Sequence, residues 1–142
     1  MIRFFKEDTG FSLKGKASVK RWLKEVAVRE SRRIGDINII FCSDPCLLDI
    51  NRRFLGHDYY TDIITFDNCE DKTLNGDLFI SIDCVRENAK EYADGRFDEE
   101  LARVMVHGIL HLIGYDDHTP EEQKTMRQKE NEYLSLKAEK EW

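Results

Sequence analysis

Three of the four histidines in this chain lie in one twelve-residue stretch, HGILHLIGYDDH, at positions 107–118. On an α-helix, residues four apart project from the same face about one turn from each other, so His107 and His111 can point their imidazole nitrogens at one ion. Imidazole is a common zinc ligand, and a bound cation removes the free-energy cost of burying two unpaired polar rings. The spacing therefore predicts a metal site.

The helix that carries these histidines is apolar on nearly every other side, which indicates that it is buried. Its apolar residues are Val104, Met105, Val106, Ile109, Leu110, Leu112 and Ile113. Gly108 permits close backbone approach, and Gly114 suits the left-handed conformation that often ends a helix. Two core histidines with satisfied hydrogen bonds, followed by a polar turn, are the alternative interpretation.

The turn after this helix supplies the remaining candidate ligands. Thr119-Pro120-Glu121-Glu122 has the form of a capping box with proline at the first helical position, so residues 115–118 must form a turn. This turn can fold its two carboxylates, Asp116 and Asp117, and His118 back toward the histidine pair. Three protein ligands and a water molecule make an open zinc site, which is typical of catalysis, whereas structural zinc sites usually have four protein ligands.

Zinc, at one ion per chain, is the metal that these ligand types favour, although nickel, copper and cobalt also accept imidazole. A metal acidifies its bound water toward neutrality, so His107 and His111 are predicted to act in catalysis through that water. The residue after His107 is Gly108, where an H-E-x-x-H metallopeptidase has the glutamate that serves as general base. That class of peptidase is therefore disfavoured.

The composition indicates a globular cytoplasmic protein. The hydrophobic fraction is 41% with only two prolines, and no apolar run is long enough to cross a bilayer. The N-terminal MIRFFKEDTG lacks the apolar segment of a signal peptide. Four cysteines lie in separate segments without a C-x-x-C pair, so they are interpreted as small core side chains.

The net charge of −6 is unevenly distributed along the chain. Residues 14–33 contain eight basic and two acidic side chains, a local charge of +6, so the rest of the chain carries −12. Such asymmetry allows a local phosphate-binding surface on an acidic protein, because counterion release depends on the contacted patch. A solvated helix face is an equally acceptable interpretation.

The elements that must position the histidines follow from periodicity and from helix start and stop signals. Strands are predicted at 2–7, 36–42, 61–67 and 76–83. Helices are predicted at 17–33, 44–55, 83–94, 98–114 and 120–140. Gly35 is the predicted stop of the first helix, and the second has Ser43 or Asp44 as its cap and Gly56 as its end. This order predicts one α+β domain over residues 1–142, with a small mixed sheet of about four strands covered by helices. Together with the open metal site, it is interpreted as a metallohydrolase domain. The metal site lies on its buried central helix.

HGILHLIGYDDH closely resembles the HGxLHLxGYDH signature of the YbeY family of metal-dependent, single-strand-specific endoribonucleases. Residues 50–67 and 76–81 are similar to that family's LN…TDVLSF and GDIxIS segments. The resemblance implies a zincin-like fold, zinc, a cytoplasmic location and a role in 16S ribosomal RNA maturation and ribosome quality control. The implied partners are ribosomal RNA and the small ribosomal subunit, with its proteins as further candidates and no membrane.

Two departures from the family pattern bear on the site. The family's third histidine lies six residues after the second, where this chain has Asp117, and His118 follows one position later. The position within the family signature favours Asp117 as the third ligand, whereas the residue type of the family's ligand, histidine, favours His118. The second departure is Leu55, which stands where many members carry an arginine proposed to contact RNA or assist catalysis.

Several other polar and aromatic residues are candidates for RNA contact. Arg52, Arg53 and His57 are the possible replacements for the missing arginine, with ordinary surface exposure as the alternative. Arg103 and Glu100 share the helix face of His107 and can support a ligand or orient an RNA phosphate, with a plain surface ion pair as the alternative. Thr61, Asp62 and Asp77 match the family-like segments, with turn and strand-end capping as the alternative. The aromatic residues Phe54, Tyr59, Tyr60 and Phe66 can stack on bases, but core packing is favoured for Phe54 and Phe66 and is the alternative for Tyr59 and Tyr60.

The leading hypothesis is a zinc-dependent endoribonuclease. The alternative is a ribosome-assembly factor that binds RNA or the ribosome without catalysis and uses its metal structurally. Leu55 and the absence of an obvious general base favour this alternative. A metallohydrolase of small molecules or peptides is the third and weakest reading.

Overall fold

Four strands form one mixed β-sheet in the order β1-β2-β4-β3. The computed structural model describes residues 1–140. The strands are β1 (Ile2–Glu7), β2 (Arg33–Cys42), β3 (Ile63–Asp67) and β4 (Thr73–Ser81). β1 pairs parallel with β2, β2 parallel with β4, and β3 antiparallel with β4. The predicted α+β class and the mixed sheet of about four strands are confirmed.

Five helices surround this sheet. They are α1 (Lys16–Arg29), α2 (Asp44–Ile50), α3 (Ile82–Tyr92), α4 (Phe97–Ile113) and α5 (Pro120–Glu139), and α2 continues as a π-helical turn (Asn51–Leu55). The histidine helix α4 is central, because it packs against β3 and β4 and against α1, α3 and α5. The core around it includes the fully buried Trp22, Leu78 and Ile109. Trp22 Nε1 donates to the Tyr133 carbonyl at 2.9 Å and so joins α1 to α5.

The end of α1 was predicted wrongly. The helix ends at Arg29, because Ser31 adopts a positive φ of 59° and the Arg32 amide returns to the Ala27 carbonyl at 2.8 Å. Ile34 fits the helical spacing of the sequence, yet it pairs with Leu74 in the sheet. Gly35, the predicted stop, likewise lies within β2.

The bounds of β4 differ from the prediction at both ends. Residues 73–75 look like part of a polar connection, but Thr73 and Leu74 pair with the early part of β2. At the other end, the Ser81 hydroxyl accepts from the Cys84 amide at 3.1 Å and caps α3. Residues 82–83 are therefore helical. β3 begins two residues later than predicted, and the ends of α3, α4 and α5 shift by one or two residues.

Most of the predicted caps are confirmed. Ser43 accepts from the Cys46 amide and starts α2, and Gly56 ends the π-helical turn with a φ of 66°. The capping box of Thr119 and Glu122 is complete. Cys42 is buried as expected, while the other three cysteines are half-buried, and all four are free thiols. Within residues 1–140, none of the helices has the length and apolar character that a bilayer crossing requires.

Gly108 lies where α4 crosses the sheet. A Cβ atom built there would lie 2.8 Å from Ile63 Cδ1 and 2.9 Å from Leu78 Cδ1, so the prediction of a close approach at this glycine is confirmed. A side chain at this position would have to displace the ends of Ile63 and Leu78, which pack between α4 and the sheet.

Replacing Gly108 with alanine is expected to lower the free energy of unfolding by about 1 kcal/mol. Overpacking costs roughly 1–3 kcal/mol, and the higher helix propensity of alanine offsets about 1 kcal/mol of it. Urea denaturation measures the change. Gly10→Ala is the matched control, because nothing lies within 4 Å of a Cβ there. A Gly108→Ala protein that is more stable than wild type would contradict the close packing described.

Candidate metal centre

The imidazole rings of His107 and His111 converge on one point beside α4. Their Nε2 atoms are 3.0 Å apart, and both side chains are half-buried. Asp117 Oδ2 lies 3.4 Å from the Nε2 atom of His107 and 3.6 Å from that of His111. The three atoms form a triangle, called here the ligand triangle. No other group of three potential ligands within the described residues converges in this way.

The dimensions of the ligand triangle fit a single metal ion. Bonds of 2.0–2.1 Å in tetrahedral geometry place neighbouring ligand atoms about 3.3 Å apart. The observed separations of 3.0, 3.4 and 3.6 Å bracket that value. Two imidazole nitrogens and one carboxylate oxygen are a ligand set that zinc accepts. These residues could therefore hold a metal ion.

Asp117 is held by interactions on both sides of its turn. Gly114 closes α4 with a φ of 125°, which confirms the predicted positive-φ end. Beyond it, the Tyr115 hydroxyl donates to Glu30 Oε1 at 2.6 Å. Gln123 Nε2 donates to the Asp117 carbonyl at 3.1 Å, just after the capping box that starts α5. The turn therefore cannot move without disturbing contacts to α1 and α5.

Glu30 anchors this turn from the end of α1, and no pattern in the sequence indicates this role. Burial alone would raise the pKa of its carboxyl group. Hydrogen bonds from Tyr115, Tyr133 and Lys129 outweigh that effect and lower the pKa. The ionised carboxylate is therefore the form that holds the turn in place.

A buried glutamate on α5 orients His107 from behind. His107 Nδ1 lies 2.7 Å from Glu130 Oε2, and the Glu130 side chain is only 6% exposed. Because a carboxylate accepts hydrogen bonds, this contact places the proton on Nδ1 and leaves the Nε2 lone pair facing the ligand triangle. Arg103 donates to Glu130 Oε1 at 3.0 Å and to Asn131 Oδ1 at 2.9 Å. Histidine ligands of metals almost always have such a partner.

The pKa shifts agree with this arrangement. Burial lowers the pKa of His107, but the hydrogen bond and charge of Glu130 outweigh it, so the net shift is upward. Burial and the neighbouring His107 lower the pKa of His111. Burial would raise the pKa of Glu130, yet its bonds to His107 and Arg103 lower it. The surroundings of His107 therefore favour positive charge, and Glu130 is ionised.

The ligand triangle borders a cavity of about 520 Å³, called here the large cavity. Its wall includes Thr61, Asp62, Leu55 and Tyr59, and His118 is also part of it. His118 is exposed and lies outside the ligand triangle.

A buried asparagine holds the exposed loop beside the large cavity. Asn51, in the π-helical turn, donates from Nδ2 to the Tyr59 carbonyl at 2.9 Å. In the same loop, His57 stacks on Tyr59 at a ring distance of 5.2 Å, and Tyr60 is exposed. Phe54 makes an edge contact with Phe66. Tyr59 lines the large cavity, whereas Phe54, Tyr60 and Phe66 are not among its lining residues. Phe66 packs against a buried cluster as expected, but the core packing favoured for Phe54 is wrong, because that side chain is 66% exposed.

The predicted basic residues have different surroundings. Arg52 pairs with Asp58, and Arg53 pairs with Asp49 at 3.2 Å; both arginines are exposed. Arg103 instead donates to Glu130 Oε1, and its predicted contact with RNA stays a prediction. Asp77 lies in the sheet, where it accepts from Asn38 Nδ2 at 2.9 Å, away from the large cavity.

Glu130 is the main feature that sequence reasoning missed. One signal was available, because Glu130 falls on the same face of α5 as the buried Met126 and Tyr133. A charged residue at a buried helical position needs a partner. The identity of that partner depends on how α5 docks on α4, which periodicity does not reveal.

Comparisons with known proteins identify a family that matches nearly the whole chain. The family described as Endoribonuclease YbeY matches residues 3–137. A relative named Endoribonuclease YbeY from Cytophaga hutchinsonii is 52% identical over 137 residues, covering 96% of this chain and 95% of the relative. One of the same name from Bacteroides thetaiotaomicron is 48% identical over 122 residues, covering 86% and 88%.

A solved structure is also similar. The solution structure of a protein from Thermotoga maritima matches with a TM-score of 0.67 and 33% sequence identity, covering 96% of this chain and 89% of that one.

Proposed function

Because the chain belongs to the YbeY endoribonuclease family, we propose that it is a zinc-dependent endoribonuclease specific for single-stranded RNA, with the ligand triangle as its metal centre. The observation that carries this proposal is the convergence of His107, His111 and Asp117 at the wall of an open cavity. When bound, zinc would supply an acidified water molecule and positive charge for a phosphodiester.

The protein groups around the metal centre prepare it for this chemistry. Glu130 keeps the proton on His107 Nδ1, so that Nε2 stays available as a ligand. Arg103 balances the charge of Glu130. Asp62 lines the large cavity, and its pKa is raised because burial outweighs the opposing charge of His107. We assign Asp62 as the group that accepts a proton there, since a carboxyl group with a raised pKa is suited to general-base catalysis.

The large cavity suits an unpaired RNA strand. Tyr59 lines it, and the exposed Phe54 and Tyr60 adjoin its lining residues in the sequence. Aromatic rings of this kind stack on bases that a duplex would hide. Arg52, Arg53 and His57 lie in the same exposed segment and are assigned to the RNA backbone. Cleavage within an RNA strand requires that the strand extend past the metal centre in both directions. An open cavity allows this.

The biological substrate is proposed from the family resemblance. On that basis, we assign the protein to 16S ribosomal RNA maturation and ribosome quality control in the cytoplasm, with the small ribosomal subunit as its partner. The names of the relatives support ribonuclease activity. If the purified protein cuts 16S precursor RNA and leaves mature 16S RNA intact, this assignment is supported. Equal degradation of both RNAs would contradict it.

The direct test of activity uses one end-labelled single-stranded oligoribonucleotide, with the same sequence as duplex RNA and as single-stranded DNA for comparison. Internal cuts confined to the single-stranded RNA are expected. No cleavage by protein that contains a full equivalent of zinc would favour the alternative, a non-catalytic RNA-binding or ribosome-binding assembly factor with a structural metal. Leu55 favours that alternative, because it contributes an apolar side chain to the large cavity where the family resemblance implies arginine.

The third ligand can be identified by two matched substitutions in the same turn. Asp117→Ala is expected to weaken zinc binding at least about 100-fold, because it removes a direct ligand, whereas His118→Ala changes it less than about threefold. Isothermal titration of metal-free protein with zinc measures both values. A larger loss of zinc affinity in His118→Ala than in Asp117→Ala would identify His118 as the ligand.

A further inference from the structure

A second cavity, of about 270 Å³, opens on the other side of His107 and is called here the small cavity. It lies between α3, α4 and α5 and shares Asp62, His107 and Asp117 with the large cavity. The ligand triangle therefore lies between the two cavities. Pockets for drug-sized ligands begin at about 300 Å³, so the small cavity is sized for a fragment such as one nucleobase.

The small cavity contains a buried carboxylate that has no hydrogen-bond donor or ion-pair partner among the described residues, although Arg103 and Arg127 act on it through their charge. Glu100 lines it and is 8% exposed, and within residues 1–140 no group donates a hydrogen bond or forms an ion pair with its side chain. The nearest candidate, Arg103, uses its guanidinium on Glu130 and Asn131. Buried polar groups without hydrogen bonds are rare and costly, and burial raises the pKa of Glu100. A ligand that brings donors would remove this cost.

The rest of the small cavity offers the contacts that a nucleotide needs. Asn88 contributes a half-buried amide, and Tyr92, at the end of α3, is 73% exposed. The Arg127 side chain is 63% exposed, and its ion pair with Glu130 Oε1 is long, at 3.8 Å. An amide and a carboxylate can read a base edge, an aromatic ring can stack on its face, and an arginine can contact a phosphate.

We propose that the small cavity is a recognition subsite for a guanine next to the scissile phosphodiester, and that Glu100 determines this specificity. The inference rests on the proposed ribonuclease function. Guanine presents N1–H and an N2 amino group side by side on its Watson–Crick edge, and two carboxylate oxygens accept both together. Adenine, cytosine and uracil each place an acceptor where one of those donors would be. Asn88 can donate to guanine O6, which lies beside N1.

The position of Glu100 agrees with this subsite. Glu100 precedes His107 by seven residues, so the two lie on one face of α4 about 10.5 Å apart along its axis. That separation leaves room for a ribose between a phosphate at the ligand triangle and a base edge at Glu100. Glu100 also lies outside every group of potential metal ligands found among the described residues, which favours a hydrogen-bonding ligand over a second cation.

The test compares four single-stranded oligoribonucleotides that differ only in the base beside the cut. Wild-type protein is expected to show a kcat/KM at least about tenfold higher with guanine than with uracil, and Glu100→Gln is expected to reduce this ratio below about threefold. Glu99→Gln, on the exposed neighbour, is the matched control and should keep the wild-type ratio. Equal rates for all four bases in wild type, or an unchanged ratio in Glu100→Gln, would overturn the proposal.

A binding measurement separates this inference from the proposed function. Titration with guanosine 5′-monophosphate and with uridine 5′-monophosphate requires no cleavage, and wild type should bind the guanine nucleotide about tenfold more tightly. Glu100→Gln should lose this preference, with zinc content and melting temperature as checks on folding. Tyr92→Ala should weaken both nucleotides alike, because stacking does not distinguish bases. Equal affinity of wild type for both nucleotides would overturn the subsite even if RNA is cleaved.

Discussion

Replacing His111 with alanine is expected to abolish both zinc binding and RNA cleavage. His111 Nε2 is one of three atoms in the ligand triangle, and two remaining ligands hold zinc poorly. Without the ion there is no acidified water and no charge to neutralise the phosphodiester, so cleavage should fall at least about 1,000-fold. Zinc content is measured by elemental analysis on protein purified without an affinity tag, and cleavage by single-turnover kinetics.

The matched control for this variant is His118→Ala, which removes an exposed imidazole beside the same cavity. It should retain about one zinc ion per chain and most of the activity. A His111→Ala protein that cleaves RNA at the wild-type rate without metal would show that the histidine pair is not the catalytic centre.

The second large effect is expected for Glu130→Gln, because glutamine keeps the size of the side chain but not its charge. The bond to His107 Nδ1 weakens, and Arg103 is left beside a neutral amide. Loss of such a partner typically reduces metal affinity about 10–100-fold. We expect zinc affinity to fall within that range and cleavage to recover when zinc is supplied in excess. Glu121→Gln, an exposed change on the same helix, is the control.

The same variant should change the response to acid. The pKa of Glu130 is lowered in the folded protein, so its charge stabilises the fold above the pKa of an unfolded glutamate, about 4.3, and this stabilisation is lost as pH falls through the folded pKa. Glu130→Gln should therefore show a smaller loss of stability between pH 7 and acid than wild type, as measured by urea denaturation. An unchanged zinc affinity together with an unchanged pH profile would contradict the role given to Glu130.

Features encoded by neighbouring residues were predictable from the sequence. The His107 and His111 spacing, the capping box at Thr119 and the helix end at Gly114 each depend on residues within a few positions of each other. Local backbone geometry determines these features, so no knowledge of the tertiary fold is needed. The four individual strands were predicted in the same way, from short apolar runs.

Features that depend on long-range contacts were not predictable. Glu130 reaches His107 from 23 residues away, and Glu30 reaches Tyr115 from 85 residues away. The lack of a partner for Glu100 becomes visible only when Arg103 is seen to bind other groups. The early part of β2 was assigned to a helix because Ile34 fits both the helical spacing and the alternation of a strand. Only its pairing with Leu74 in β4 shows that it belongs to a strand.

The most direct test of the metal centre is a zinc titration of metal-free wild-type protein, with single-strand RNA cleavage measured at each step. Metal-free protein should be inactive, and the rate should rise in proportion to added zinc and reach a plateau at about one ion per chain. His111→Ala prepared in parallel controls for contaminating ribonuclease. Full cleavage by the metal-free protein, unchanged by zinc, would contradict the account.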